Sequence, residues 1–116
     1  MRVNIPSGER LIVALDVDTP AEAIGLVTNL GTDVTFYKIG LQLFLQNGFP
    51  IVKAVADLGK KIYLDLKVND TPRTVEKEVR TAVNADVELF TCKVTRTPQR
   101  QPYQPAQISR LRRYCR

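Results

Sequence analysis

The chain has 116 residues. That bounds it to one domain at most and leaves it far short of the roughly 250 residues of a complete eight-fold α/β barrel. Its net charge of +5 is unevenly placed: residues 1–91 carry ten Lys/Arg against twelve Asp/Glu, while residues 92–116 carry seven basic residues and no acid. No apolar run approaches the roughly 20 residues of a membrane span. The first residues lack the apolar core of a signal peptide, so a cytoplasmic location is expected.

Leu11-Ile12-Val13-Ala14-Leu15-Asp16-Val17 is a short apolar run of the kind buried on both faces in a parallel sheet. A helix start follows at Thr19-Pro20-Ala21-Glu22, with Thr19 as cap, Pro20 in the first helical position and Glu22 three residues after the cap. Ile24, Val27 and Leu30 give this helix an apolar face, and Gly31 ends it. Val34 to Gly40 reads as a second strand, Leu41 to Asn47 as a short helix ending near Gly48, and Pro50 to Leu58 as another ending at Gly59. A third strand is predicted over Ile62–Leu66. A helix opening at Thr71-Pro72 sets Val75, Val79 and Val83 on one face, and Val87–Phe90 is the fourth strand. Strands alternating with helices predict a parallel α/β sheet with right-handed crossovers.

After Thr91 the pattern stops. Pro98, Pro102 and Pro105 break any helix in a stretch rich in Pro and Gln. A division follows into an ordered part, 1–91, and a basic, disordered tail, 92–116, in which a short helix over Ile108–Cys115 has little apolar surface to dock it. Seven charges spread over the tail, with Tyr103 and Tyr114 available for stacking, predict incidental binding to nucleic acid at low salt and no specific recognition. Cys92 and Cys115 have no histidine to complete a zinc site, because the chain has none, and both are expected as free thiols.

The chemistry concentrates at Tyr63-Leu64-Asp65-Leu66-Lys67-Val68-Asn69-Asp70-Thr71-Pro72. Two carboxylates and an ammonium stand at the end of a buried strand, where unpaired charge is costly. Strand alternation predicts that Asp65 and Lys67 point the same way, with Asp70 reaching the same mouth from the following loop. A lone lysine such as Lys38 is readily explained as a snorkelling cation. Lys67 between Asp65 and Asp70 is better explained by chemistry, and its positive charge makes those two carboxylates a poor magnesium site. Thr71 is expected as a helix cap.

These residues resemble the orotidine 5'-phosphate decarboxylase family over roughly residues 10–91. The resemblance is carried by Leu11-Ile12-Val13-Ala14-Leu15-Asp16, by Lys38-Ile39-Gly40, and by Asp65-Leu66-Lys67-x-x-Asp70-x-Pro72-x-Thr74-Val75. Relatives acting on other sugar phosphates share the Asp-x-Lys-x-x-Asp core but usually not the Pro72 and Thr74 continuation. The resemblance implies a dimeric TIM-type (βα) barrel that converts orotidylate to uridylate and CO2 without metal or organic cofactor. It implies Lys67 as the acid that protonates C6, Asp65 beside the departing carboxylate, and Asp16 and Lys38 on the ribose hydroxyls. Lys38, Asp65, Lys67 and Asp70 would form one charged network. Asp70 and Thr74 would serve the neighbouring subunit's site.

The later barrel strands, with their phosphate-binding Arg and backbone NH groups, have no counterpart here. The expected fold is therefore a partial barrel of about the first four strands with an irregular C-terminal tail. The abrupt loss of acids after Thr91 reads as a frame shift, and weak or absent activity is expected because remote binding energy is used to reach the transition state. The opposite sheet face is expected to present Val, Leu and Ile to water, and open edges to promote association. The alternatives are a non-enzymatic, self-associating half-barrel fragment and a sugar-phosphate enzyme of the same superfamily.

Overall fold

The computed structural model describes residues 4–95. Of the tail expected to be disordered over 92–116, residues 92–94 belong to a strand, and the rest beyond residue 95, with the helix expected over Ile108–Cys115 and with Tyr103, Tyr114 and Cys115, lies outside the described residues. The elements run β1 (Ile12–Ala14), α1 (Pro20–Leu30), β2 (Phe36–Gly40), α2 (Leu41–Asn47), α3 (Phe49–Asp57), β3 (Lys61–Asp70), α4 (Pro72–Asn84) and β4 (Leu89–Val94). The four strands form one parallel sheet in the order β1-β2-β3-β4.

Local sequence explains the helix boundaries. Thr19 Oγ1 accepts a hydrogen bond from the Glu22 amide at 3.2 Å, and Glu22 Oε2 reaches back to the Asp18 amide at 3.1 Å. The cap is thus reciprocal, with the glutamate bonding one residue earlier than in a standard capping box. At the other end of α1, Lys60 Nζ donates to the carbonyls of Gly31 (2.5 Å) and Val34 (2.9 Å), placing a cation where the helix dipole is negative. Gly48 separates α2 from α3 at φ 63°, a conformation that costs glycine little and other residues more.

One sheet face meets the helices. Tyr37, Ile39, Ile62, Leu64, Phe90 and Cys92 join Ala23, Val27, Ile51, Val52, Val55, Val75, Val79 and Ala82 in a single core cluster. The other face follows from the register, in rows Ile12–Phe36–Lys61, Ala14–Lys38–Tyr63–Leu89 and Gly40–Asp65. That face is more polar than its expected Val, Leu and Ile lining. Apolar Ile12, Phe36 and Leu89 alternate there with Lys38, Lys61, Tyr63 and Asp65, and Lys61 Nζ pairs with Glu9 Oε1 at 2.5 Å. Alternation sends most of the aliphatic strand residues to the helix side.

Two strands run longer than predicted. β3 continues through Asp70 and β4 through Val94, because Val68, Asn69 and Asp70 pair with Cys92, Lys93 and Val94. Asp70 therefore sits in the ladder and not in a loop. β1 is shorter than its apolar run: it ends at Ala14, and only the Leu15 amide, bonded to the Lys38 carbonyl at 2.9 Å, carries the pairing further. Cys92 is disulfide-bonded, which corrects its expected free thiol. The lack of histidine excluded zinc but carried no information on oxidation, which depends on separation in space.

Tyr37 is fully buried, and its hydroxyl finds no partner among the described residues. Burial pushes its phenol above the ordinary range. An unsatisfied buried hydroxyl costs about 1–3 kcal/mol. Tyr37→Phe is expected to leave urea-denaturation stability unchanged or raise it by up to about 1 kcal/mol; a clear loss would reveal a partner for the hydroxyl. Within the described residues β1 and β4 each have one strand neighbour. The 116-residue chain is accordingly expected to self-associate in sedimentation velocity, and a monodisperse monomer with a sharp thermal transition would count against it.

Candidate active site

The site lies toward the carboxyl end of the sheet, where β3 departs from regular pairing. Leu64 pairs with Phe90 and Val68 with Cys92, so Asp65, Leu66 and Lys67 together stand opposite Thr91. The extra residues form a bulge, and Lys67 adopts φ 49°, a left-handed conformation uncommon for a residue with a side chain. Simple alternation therefore does not hold between Asp65 and Lys67. The two side chains meet nonetheless, with Lys67 Nζ donating to Asp65 Oδ2 at 2.7 Å.

Asp65 is the centre of the cluster and is only 8% exposed. Lys38 Nζ, from β2, stands 3.8 Å from the same Oδ2. The other carboxylate oxygen, Oδ1, accepts a hydrogen bond from Thr91 Oγ1 at 2.6 Å. Burial is the largest single influence on this carboxyl and pushes it up. Hydrogen bonds from Lys67 and Thr91, with the positive charges of Lys67 and Lys38, outweigh burial and hold it below the usual carboxylate range. Lys67 is raised above the ordinary lysine range, chiefly by its hydrogen bond to Asp65. Its side chain is 76% exposed, so the ammonium is anchored at the rim and open to whatever occupies the face.

The remaining predicted residues divide. Asp16 lies just past β1, exposed, on the same rim: a Cβ placed on Gly40 would lie 4.0 Å from Asp16 Oδ1, and Gly40 is the ladder partner of Asp65. Asp70 does not join the Asp65–Lys67 pair among the described residues. Its Oδ1 accepts from the Thr71 amide at 2.6 Å, and its charge helps raise Glu78, whose shift comes first from burial. Lys67 is thus paired with one carboxylate and not clamped between two; the bulge that turns Lys67 toward Asp65 leaves Asp70 three residues further along the ladder. Thr71 occupies the N-cap position of α4 without a side-chain cap bond, because its hydroxyl lies 3.2 Å from that of Thr74. Among the described residues no group of three or more His, Cys, Asp or Glu side chains could hold a metal ion.

Sequence reasoning missed Thr91, which it treated only as the last residue before the composition changes. Its contact with Asp65 depends on the β3–β4 register, and the bulge hides that register from any count of residues.

This sheet order, with an Asp-x-Lys motif at the bulge of the third strand, can be set beside known proteins. The profile of the orotidine 5'-phosphate decarboxylase / HUMPS family matches residues 9–99. The chain belongs to that family. An orotidine 5'-phosphate decarboxylase of a Bradyrhizobium species is 41% identical over 91 residues, which is 78% of this chain and 37% of the relative. The enzyme of that name from Carboxydothermus hydrogenoformans is 38% identical over 81 residues, covering 70% of this chain and 34% of the relative. Among solved structures, orotidine 5'-monophosphate decarboxylase from Methanocaldococcus jannaschii, complexed with inhibitor BMP, superposes with a TM-score of 0.65 at 30% identity, over 72% of this chain and 39% of that one. The Lactobacillus acidophilus decarboxylase gives 0.61 at 34% identity, over 72% and 37%. The chain therefore spans a little over a third of the length of the curated relatives it matches. The parallel four-strand sheet corresponds to part of the barrel of these structural neighbours.

The depressed carboxyl of Asp65 has a definite consequence for stability. A carboxyl whose folded value lies below its unfolded value, about 3.9 for aspartate, stabilises the fold fully above that value. The contribution is lost as the pH falls through the folded value. Asp65→Asn is expected to be less stable than the parent near pH 6, with the gap closing below about pH 4. Urea midpoints of both proteins across this range check it; a gap independent of pH would show that Asp65 is not held as the anion.

Proposed function

We propose that the rim of this sheet is the proton-handling part of an orotidylate decarboxylase site, acting on orotidine 5'-phosphate to give uridylate and CO2. The observation that carries this reading is the 2.7 Å pair between Lys67 and the buried carboxylate of Asp65, backed by Lys38 on the neighbouring strand. The curated relatives named above support the decarboxylase over other sugar-phosphate chemistry of the same family.

The chemistry follows from fixed charge. When the bond between C6 and the substrate carboxylate breaks, CO2 leaves and the electron pair stays on C6. A cation held next to that carbon stabilises the developing charge, and it does so more strongly in a water-poor site than in solvent. Lys67, raised by its bond to Asp65, is charged at neutral pH. A carbanion is far more basic than an amine, so proton transfer from Nζ to C6 runs downhill. Asp65 faces the departing carboxylate. Like-charge repulsion there belongs to the contested framing of ground-state destabilisation, whereas fixing Lys67 needs no such assumption. Asp16 and Lys38 hold the ribose hydroxyls and orient the pair.

Asp70 and Thr74 serve the neighbouring subunit of a homodimer. Support comes from their place where β3 passes into α4, Asp70 ending the strand and Thr74 in the first turn of the helix, with no bond to Asp65 or Lys67 among the described residues. Nucleotide biosynthesis of this kind is a cytoplasmic step. The ligand is a small-molecule nucleotide; no nucleic acid, membrane or organic cofactor enters the scheme.

Turnover by the 116-residue chain alone is expected to be feeble, since phosphate binding in this family comes from later barrel strands and its loss is severe. A chimera carries the test: residues 9–91 replace the matching segment of the Bradyrhizobium enzyme, and orotidylate loss is followed spectrophotometrically. The chimera is expected to be active, and Lys67→Ala to lower kcat at least about 100-fold. Undiminished turnover by that variant would remove Lys67 as the acid.

A further inference from the structure

Thr91 holds a place that no side chain on its own strand explains. At the bulge, β4 offers one residue to three residues of β3, and Lys67 has no register partner on β4. Thr91 Oγ1 fills the gap. It accepts from the Lys67 amide at 3.3 Å and donates to Asp65 Oδ1 at 2.6 Å. A hydroxyl has one proton to give and two lone pairs to receive, so a single oxygen can make both bonds at once. We propose that Thr91 is a positioning residue: its hydroxyl fixes the rotamer of Asp65 and, through the Lys67 amide, the left-handed turn that delivers the Lys67 ammonium to the other carboxylate oxygen.

The geometry favours a hydroxyl over other side chains. A cation at position 91 would compete with Lys67 for Asp65. An aliphatic residue would leave Oδ1 buried without a donor and the Lys67 amide without an acceptor. With Oδ1 bound to Thr91, Oδ2 alone faces Lys67 and Lys38. The carboxylate is held on two sides: a neutral donor from β4 on one oxygen, cations from β2 and β3 on the other. The charges acting on Asp65 are Lys67 from β3 and Lys38 from β2; Tyr63 acts on Lys67, Asp16 lies at the rim beyond β1 near Gly40, and among the described residues the group from β4 bonded to the carboxylate is the Thr91 hydroxyl. Its loss is therefore readable in the titration of Asp65 against an otherwise unchanged set of charges. The link to catalysis rests on Lys67 and Asp65 being the reacting pair, but the arrangement itself does not.

The experiment is side-chain NMR on the full 116-residue chain, comparing the parent with Thr91→Val and Thr91→Ser. In the valine variant the Asp65 carboxyl midpoint is expected to move up by about one unit, a tenfold change in proton affinity, and the Lys67 ammonium midpoint to move down. Thr91→Ser is expected to restore both to within about 0.3 unit. A valine variant with native amide dispersion and unmoved midpoints would overturn the proposal, leaving Thr91 a packing residue. Should that variant not fold, the parent decides: three-bond couplings at Thr91 are expected to report one χ1 rotamer and the Lys67 amide to be protected from exchange, whereas rotamer averaging with a fast-exchanging amide would overturn it. Shifted midpoints together with an active Lys67→Ala chimera would uphold the positioning role while sinking the decarboxylase reading.

Discussion

A nearly buried carboxylate decides the character of this sheet. The carboxyl of Asp65 is held below its usual range by groups from three strands: hydrogen bonds from Lys67 on β3 and Thr91 on β4, and the positive charge of Lys38 on β2. Without them burial alone would push that carboxyl up. The requirement fixes much else. It demands that the three strands be adjacent and parallel, that the end of β2 fall level with Asp65, and that β3 contain enough extra chain to bring Lys67 round to its own neighbour two residues back.

The helices make this arrangement affordable. By taking Tyr37, Ile39, Ile62, Leu64 and Phe90 into one core with α1, α3 and α4, they free the opposite face for polar side chains. Apolar burial on one side thus supports charge on the other, an economy that α/β barrels use generally. Within that plan the bulge is the local departure from regular geometry, and the chemical groups cluster around it, as strained backbone commonly does at functional sites.

Much of this was legible in the residues themselves. The order of strands and helices, the Thr19 cap with Pro20 and Glu22, and the apolar stripe of α4 follow from short-range rules that depend on few neighbours. The family emerged from Asp65-Leu66-Lys67 with Pro72 and Thr74, and the profile match and the relatives' identities agree with it. What stayed hidden depends on register. The continuation of β3 and β4 to Asp70 and Val94, the separation of Asp70 from Lys67, and the contact of Thr91 with Asp65 all arise from pairing between residues about 25 apart, offset by a bulge. No local periodicity encodes such an offset. The disulfide at Cys92 was hidden for the same reason, since spacing along the chain says little about proximity across it.

The path of β4 across residue 91 sets composition and architecture apart. Cys92, Lys93 and Val94 belong by charge to the basic segment, yet their main chain pairs with Val68, Asn69 and Asp70. Peptide groups are alike whatever side chains they bear, so the pairing itself asks only that proline stay out, while Cys92 and Val94 also pack on the core. The wall behind the charged cluster is therefore secured by the polymer's backbone. Vocabulary can drift at exposed Lys93 without disturbing the grammar that keeps Asp65 in place.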